Sequence, residues 1–232
     1  MRATETRYEG HAQLLAMAQA VRYNRHLAGL IRRFGENRAP VLDFGAGIGT
    51  FSGSLALPPE QVTCVEPDPE ARAGLSARGF QVAGTLAELP NGTFAYAFTL
   101  NVLEHIADDA AAVAGLHRVL APGGRLFVYV PAFPMLTTAM DAAVGHHRRY
   151  RRDGLMALLA GAGFTVERAR YADPLGFFAT LAWRALDRQK TGALDAGWVA
   201  RYDRFAFPVS RILAVPLGGM LGKNVWAVGR RG

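Results

Sequence analysis

Apolar residues return along this chain at two different spacings. Over residues 11–34 they recur at helical spacing, with Tyr23, Leu27, Leu30 and Phe34 on one stripe and Gly35 as a stop. Beyond that, short apolar runs alternate with helix-like segments. Val41–Phe44 reads as a buried strand, followed by the turn Gly45-Ala46-Gly47-Ile48-Gly49 and a short helix that ends before Pro58. Residues 61–66 read as a second strand. Asp68-Pro69-Glu70 opens a helix with a side-chain cap, a proline in the first turn and an acid at the positive end. That helix stops at Gly79, and residues 80–82 and 94–100 read as further strands. Asp108 or Asp109 caps a helix to Leu120, and Ala121-Pro122-Gly123-Gly124 turns the chain into a strand at 125–130. Residues 153–162 read as a helix, 164–168 as a strand and 225–228 as the last strand.

This alternation predicts an α/β, Rossmann-like fold. Its sheet is seven-stranded and mostly parallel, with helices on both faces. About fifty residues, 171–223, separate the last two strands and read as a helical insertion covering one end of the sheet. No linker marks a second domain, so residues 1–232 read as one.

Composition narrows the classes. Half of the 232 residues are apolar and 19% are charged, which allows a sizeable core and argues against disorder. The lone cysteine, Cys64, lies in an apolar run, so neither a disulfide within the chain nor a cysteine-built metal site is available. A reducing, cytoplasmic setting is expected. Residues 1–10 are polar and carry no secretion signal, and no apolar run is long enough to span a membrane. The net charge of +7 comes nearly all from arginine. It reads as a solvated surface that can also attract phosphates or anionic lipid. The one tight basic cluster is Arg148, Arg149, Arg151 and Arg152.

The turn after the first strand carries candidate chemistry. Glycines there let a ligand approach the backbone, and a helix start offers free N–H groups. Glu66 ends the next strand, nineteen residues beyond Gly47, where an acid can accept from both hydroxyls of a ribose. The loop reads GxGxG and not the GxGxxG of dinucleotide sites, which points to a ligand without a pyrophosphate. The plain alternative is a glycine turn and a surface glutamate that happen to be well spaced.

Four segments in order resemble the motifs of class I S-adenosylmethionine-dependent methyltransferases. They are residues 41–49; residues 62–68 with Glu66; Asn101-Val102-Leu103-Glu104-His105-Ile106; and Leu120-Ala121-Pro122-Gly123-Gly124-Arg125-Leu126. The likeness covers about residues 20–170. It implies S-adenosylmethionine as cofactor and S-adenosylhomocysteine as product. It places the methionine part at Gly45 and Gly47, the ribose at Glu66, the adenine along Thr85 and Leu86, and Asn101 beside the methionine end. Asp43, Ala46 and Pro67 join this cofactor-binding set. The family often has an aspartate near the start of the fourth strand, where this chain has Ala95; local capping is the property this puts in doubt. Tyr23 lies on an N-terminal helix that in the family can close over the cofactor, and a core position is its plain alternative.

The family's reaction is an in-line displacement at the sulfonium methyl carbon, so a base is needed only where the acceptor must lose a proton. The best polar cluster is Asp141 with Gly145-His146-His147-Arg148-Arg149-Tyr150, similar to a Gly-His-x-Arg-Arg-Tyr signature in a bacterial subgroup. His146 and His105 are the catalytic candidates, and His147, Arg148 and Tyr150 the substrate-binding ones. The alternative is that His146 and Arg148 hold loop carbonyls and that His105 caps a helix. Histidines and carboxylates form no spaced set along the chain, so no metal is expected. Without an Asn/Asp-Pro-Pro-Tyr tetrapeptide, a nucleic-acid module or an exposed nucleophilic cysteine, nucleic acid is not an expected partner.

The domain thus divides into an N-terminal helical cover (1–38), a cofactor-binding core (39–170), the acceptor-side insertion (171–223) and the last strand (224–232). Phe177, Phe178, Leu181, Trp183, Trp198, Phe205, Phe207, Leu213 and Leu217 make the insertion apolar. They favour a lipophilic or aromatic small-molecule acceptor and, with flanking arginines, a weak peripheral membrane contact. A monomer or a homodimer fits equally. The competing classes are a non-catalytic binding protein on the same fold and a nicotinamide-dependent dehydrogenase, which the loop spacing disfavours.

Overall fold

The computed structural model describes residues 20–35, 38–186 and 196–232. The first part of the expected N-terminal helix, residues 11–19, lies outside them, as do residues 187–195 of the insertion. Among the described residues the chain begins with helix α1 (Val21–Gly35). It then lays down strands β1 (Val41–Phe44), β2 (Val62–Val65), β3 (Gln81–Ala83), β4 (Phe94–Leu100), β5 (Leu120–Pro131), β6 (Phe164–Ala172) and β7 (Asn224–Arg231). Helices α2 (Pro69–Ala77), α3 (Asp109–Val119), α4 (Ala139–Ala143) and α5 (Arg152–Gly161) connect them. The seven strands form one sheet in the order β3-β2-β1-β4-β5-β7-β6, parallel except for β7, which pairs antiparallel with both neighbours.

Side chains alternate across this sheet as the pleat requires. Leu126, Val128 and Val130 of β5, with Val225 and Ala227 of β7, meet Val113, Leu116 and Val119 of α3 and Leu155 and Leu159 of α5. Phe127, Tyr129, Trp226 and Val228 point the other way, into a layer closed by Leu27 and Ile31 of α1 and Leu75 of α2. Both faces are therefore covered, which is why the strands read as almost continuous apolar runs.

Three expectations need correction. No α-helix forms between β1 and Pro58; the segment makes turns and a three-residue 3-10 turn, Ser52–Ser54. Gly45, Gly47 and Gly49 stand at φ of 79°, 54° and 75°, so the loop itself is not helical, and the short stretch left before Pro58 holds Gly53, Ser52 and Ser54, poor helix formers. Second, the turn at Ala121–Gly124 lies within the span of β5. The register against β4 shifts there between Phe94 and Tyr96. Third, β6 runs on through Ala172, because its outer residues find partners along β7 as far as Asn224.

The insertion comprises α6 (Pro174–Leu186), α7 (Ala196–Arg201), a π-helical turn Tyr202–Ala206 and α8 (Phe207–Leu217). Its anchor is Asp173, buried at φ 60°. One carboxylate oxygen of Asp173 accepts from the Tyr202 hydroxyl and the Ser210 hydroxyl, both at 2.6 Å, and from Gly176 N–H at 3.0 Å. Asp203 of the π turn accepts from the N–H groups of Arg22 and Tyr23 at 2.9 and 2.7 Å. An acid supplied from the insertion thus caps the positive end of α1. No helix among the described residues is long and apolar enough to cross a membrane.

Candidate active site

In an open parallel sheet, ligands collect beyond the carboxyl ends of the strands where the strand order reverses. Here that point lies between β1 and β4. The chain leaves β1 and folds back over β2, with Gly45 and Ala46 N–H donating to the Val65 carbonyl at 2.8 and 3.2 Å. A Cβ on Gly45 would come within 2.3 Å of a Val102 methyl, so this loop is pressed onto the segment after β4. Gly47 instead faces open space. Its N–H donates to one Glu66 oxygen at 2.7 Å, and Asp68 N–H donates to the other at 3.1 Å. A carboxylate has about four acceptor positions, so the oriented Glu66 keeps capacity for two ligand hydroxyls.

The rest of the expected cofactor set has varied surroundings. Asp43 is buried beneath the loop and accepts from the Ser52 hydroxyl. Burial pushes its carboxyl up to about 7 against the pull of that hydrogen bond. Pro67 is exposed, and its carbonyl accepts from Arg72 at 2.6 Å. Thr85 starts the 3-10 turn Leu86–Glu88, its N–H donating to Glu88 at 2.9 Å, and Leu86 packs half-buried on the core. Asn101 takes φ 53° directly after β4 and stays exposed, a left-handed conformation that a non-glycine residue adopts at some cost. Tyr23 sits edge-on to Tyr129 and Phe207, and its hydroxyl is bonded to that of Tyr129 at 3.2 Å. Burial raises its pKa. Tyr23 thus packs, partly buried, against the core layer on this face of the sheet.

Beyond β4 the 3-10 turn Leu103–His105 turns Glu104 inward until it is 0% exposed. Neither of its carboxylate oxygens has a hydrogen-bond partner among the described residues. Burial pushes this acid up to about 8. Two imidazoles flank it. His105 and His146 meet edge to face, with ring centres 4.5 Å apart. Burial, and then the proximity of His146, lowers His105 to about 4. His146 Nδ1 lies 2.8 Å from Asp141, and its Nε2 faces Glu104 at 4.0 Å.

Asp141 explains how His146 is held. The Arg149 guanidinium grips both its oxygens at 2.8 and 3.0 Å, and Thr138 N–H adds a third donor at 2.8 Å. Burial alone would raise this acid, but the bonds from His146 and Arg149 hold it well below the usual carboxylate range. A permanent carboxylate there places an N–H of His146 on Nδ1, with Nε2 facing Glu104.

The expected substrate residues divide. The exposed His147 donates its N–H to the Glu104 carbonyl at 2.7 Å. Arg148 pairs with Asp109 at 2.7 Å and donates to the Ala107 carbonyl at 2.6 Å. The Tyr150 hydroxyl donates to the other Asp109 oxygen at 2.7 Å. Arg148 and Tyr150 therefore tie the loop to the start of α3, while His146 turns toward His105 and Glu104. Sequence reasoning named Asp141 only as part of the cluster and gave no role to Glu104 or Arg149. The signal lay in an acid directly before His105, in a turn that the sheet directs inward.

A family model described as a methyltransferase domain matches residues 18–169 of this chain. The chain belongs to that family. The matched stretch of the methyltransferase domain takes in the glycine loop, Glu66, Glu104 and the His146 loop, and stops short of the insertion and β7. A relative in Mycolicibacterium smegmatis, named as an S-adenosylmethionine-dependent methyltransferase, is 31% identical over 168 residues, 69% of this chain and 63% of its own length. A ubiquinone biosynthesis O-methyltransferase of Xylella fastidiosa is 40% identical over 101 residues, 39% of this chain and 41% of its own. The domain therefore spans from about two fifths to somewhat under two thirds of these relatives. Among solved structures, the phosphoethanolamine N-methyltransferase 2 of Haemonchus contortus with bound S-adenosylmethionine superposes with a TM-score of 0.58 at 15% identity. It covers 89% of this chain and 52% of that one. At that identity the likeness is one of fold.

Proposed function

We propose that this protein transfers the methyl group of S-adenosylmethionine to an oxygen or nitrogen of a small acceptor, whose loss of a proton depends on His146. The cofactor assignment is supported by family membership and by Glu66, fixed by two N–H groups beside the open Gly47. The observation that carries the acceptor assignment is His146 itself, held on Nδ1 by Asp141 with Nε2 turned to a buried acid. An in-line displacement needs alignment and exclusion of water, and a heteroatom acceptor also needs a route for its proton.

The acceptor is lipophilic or aromatic in this reading, and the enzyme reaches it at an anionic membrane surface. Phe205, Ile212, Val215 and Met220 are 66–72% exposed among the exposed arginines Arg201, Arg204 and Arg211. Apolar side chains and cations presented together suit a headgroup interface. The test follows S-adenosylhomocysteine release with phenolic, catecholic and amine acceptors, with and without vesicles containing anionic phospholipid. Turnover on one of them, lost in His146→Ala while calorimetry still shows cofactor binding, is the expected result. Cofactor binding with no transfer to any acceptor, or tighter binding of a nicotinamide dinucleotide, would overturn the proposal.

A further inference from the structure

We infer that Glu104, His105 and His146 form a binding site for one divalent transition-metal cation, with an open position for an oxygen of the acceptor. The inference rests on the methyl-transfer reading only for what fills that open position; the cation site stands on its own geometry. One ligand atom from each of the three residues lies within 4.8 Å of the other two. Tetrahedral zinc, with bonds of about 2.0–2.1 Å, holds its ligands roughly 3.3 Å apart, so small side-chain rotations close the site.

The independent observation is the state of Glu104. A side chain with no exposed surface, whose two oxygens meet no donor among the described residues, is an uncompensated acceptor. Arg149, the cation whose charge acts on Glu104, is spent on both oxygens of Asp141 and on the Ala132 carbonyl. A cation between Glu104 and the imidazoles supplies the missing partner. The surroundings already suit one. His146 is oriented through Nδ1 by a carboxylate, the arrangement that steadies metal-binding histidines, and its other nitrogen points at Glu104. The His105 ring is set edge to face against that of His146. Two imidazoles and one carboxylate, without a thiolate, favour zinc, iron(II), cobalt or manganese over the all-oxygen coordination of calcium or magnesium.

Three protein ligands leave room for a fourth, as catalytic sites require. A hydroxyl bound there is acidified by the cation. Its O–H bond breaks and the proton passes to solvent. The oxygen then forms a bond to the sulfonium methyl carbon, the carbon–sulfur bond breaks with its pair moving to sulfur, and the cofactor leaves as a neutral thioether. This chemistry selects a hydroxyl acceptor, a phenol or a catechol, over an amine.

The experiment uses the full chain, stripped with chelator and titrated with Co2+, followed by visible absorption and calorimetry. The same titration is run on His105→Ala, His146→Ala and Glu104→Gln. The expected result is one equivalent with a ligand-field spectrum in the parent protein and at least tenfold weaker binding in each variant. Zn2+ should compete for the site and raise the parent's Tm while leaving that of His105→Ala unchanged. If Glu104→Gln does not fold, the partly exposed histidine variants decide the matter. Absence of a stoichiometric Co2+ complex, or a complex unaffected by the histidine substitutions, overturns the site. Chelator-sensitive O-methylation supports the acceptor role, whereas turnover unchanged by complete metal removal overturns that role. Co2+ binding that persists when no acceptor is methylated supports the site and tells against the methyl-transfer reading alone.

Discussion

Glu66 and Glu104 both follow strands at the mouth of the sheet, after β2 and β4, in opposite circumstances. Glu66 is half-buried, and each oxygen already takes a backbone N–H, from Gly47 and from Asp68. Glu104 is fully buried and, among the described residues, has no donor on either oxygen. A carboxylate fixed by main-chain donors is ready to receive neutral hydroxyls, because its charge is stabilised before the ligand arrives. A buried acid without donors instead requires a proton or a cation. The two halves of the site are therefore built by different means. The proposed cofactor side is made of backbone and one oriented acid; the proposed acceptor side is made of side chains brought in from Glu104, His105, Asp141, His146 and Arg149.

The sharpest way to break this comparison is to destroy the backbone half. Gly45→Val puts a side chain where a Cβ already comes within 2.3 Å of Val102, at a φ of 79° that a β-branched residue scarcely adopts. Cofactor binding should vanish in calorimetry, with a loss of stability of a few kcal/mol. A variant that binds S-adenosylmethionine as the parent does would show that the loop is not the cradle.

His146→Ala strikes the other half. Turnover should fall by about a hundredfold or more while cofactor affinity stays level, the mark of a group that acts in the transition state. The conservative His146→Gln should recover folding stability but not turnover. Equal loss of stability and activity in both would reassign the residue to holding the loop.

Glu66→Ala should weaken cofactor binding with little effect on folding, since its donors among the described residues are the Gly47 and Asp68 N–H groups, on a half-exposed surface. Charge-assisted hydrogen bonds are worth about 1.5–3 kcal/mol, which is roughly 10- to 100-fold in Kd. An unchanged Kd would remove the ribose from Glu66.

What could be read beforehand follows the same division. The strands, the Asp68 cap and the glycine loop are local: each depends on residues adjacent in the chain, so spacing and composition show them. The helix expected after the loop failed because the few residues between Gly49 and Pro58 include Ser52, Gly53 and Ser54, which together support no more than a 3-10 turn. The acceptor side was legible only in pieces. His105 and His146 stood out as residue types, but their contact and the isolation of Glu104 arise when the loop after α4 folds back over the turn after β4. The tie from Asp203 to the N–H groups of Arg22 and Tyr23 joins opposite ends of the chain, and no local pattern announces it.

The last expected effect falls on stability alone and concerns the acid beneath the glycine loop. Burial raises the Asp43 carboxyl to about 7, with the charge of Glu66 adding to the shift and the Ser52 hydrogen bond opposing it. In the unfolded chain the same group titrates near 3.9, its ordinary value as a free aspartate. Between those two values the folded protein binds a proton that the unfolded chain lacks, so stability falls as pH rises through this window and levels off above about 7. Asp43→Asn keeps the shape and can still accept from Ser52, but it cannot ionise. The variant should therefore gain on the parent as pH rises from about 5 to about 8, by up to a few kcal/mol and a few degrees of Tm. Thermal melts of both proteins across that range measure the difference directly. Parallel curves would mean that Asp43 ionises freely beneath the loop. The Ser52 hydrogen bond would then be holding a carboxylate, and Glu104 would stand alone as the strained acid of this sheet.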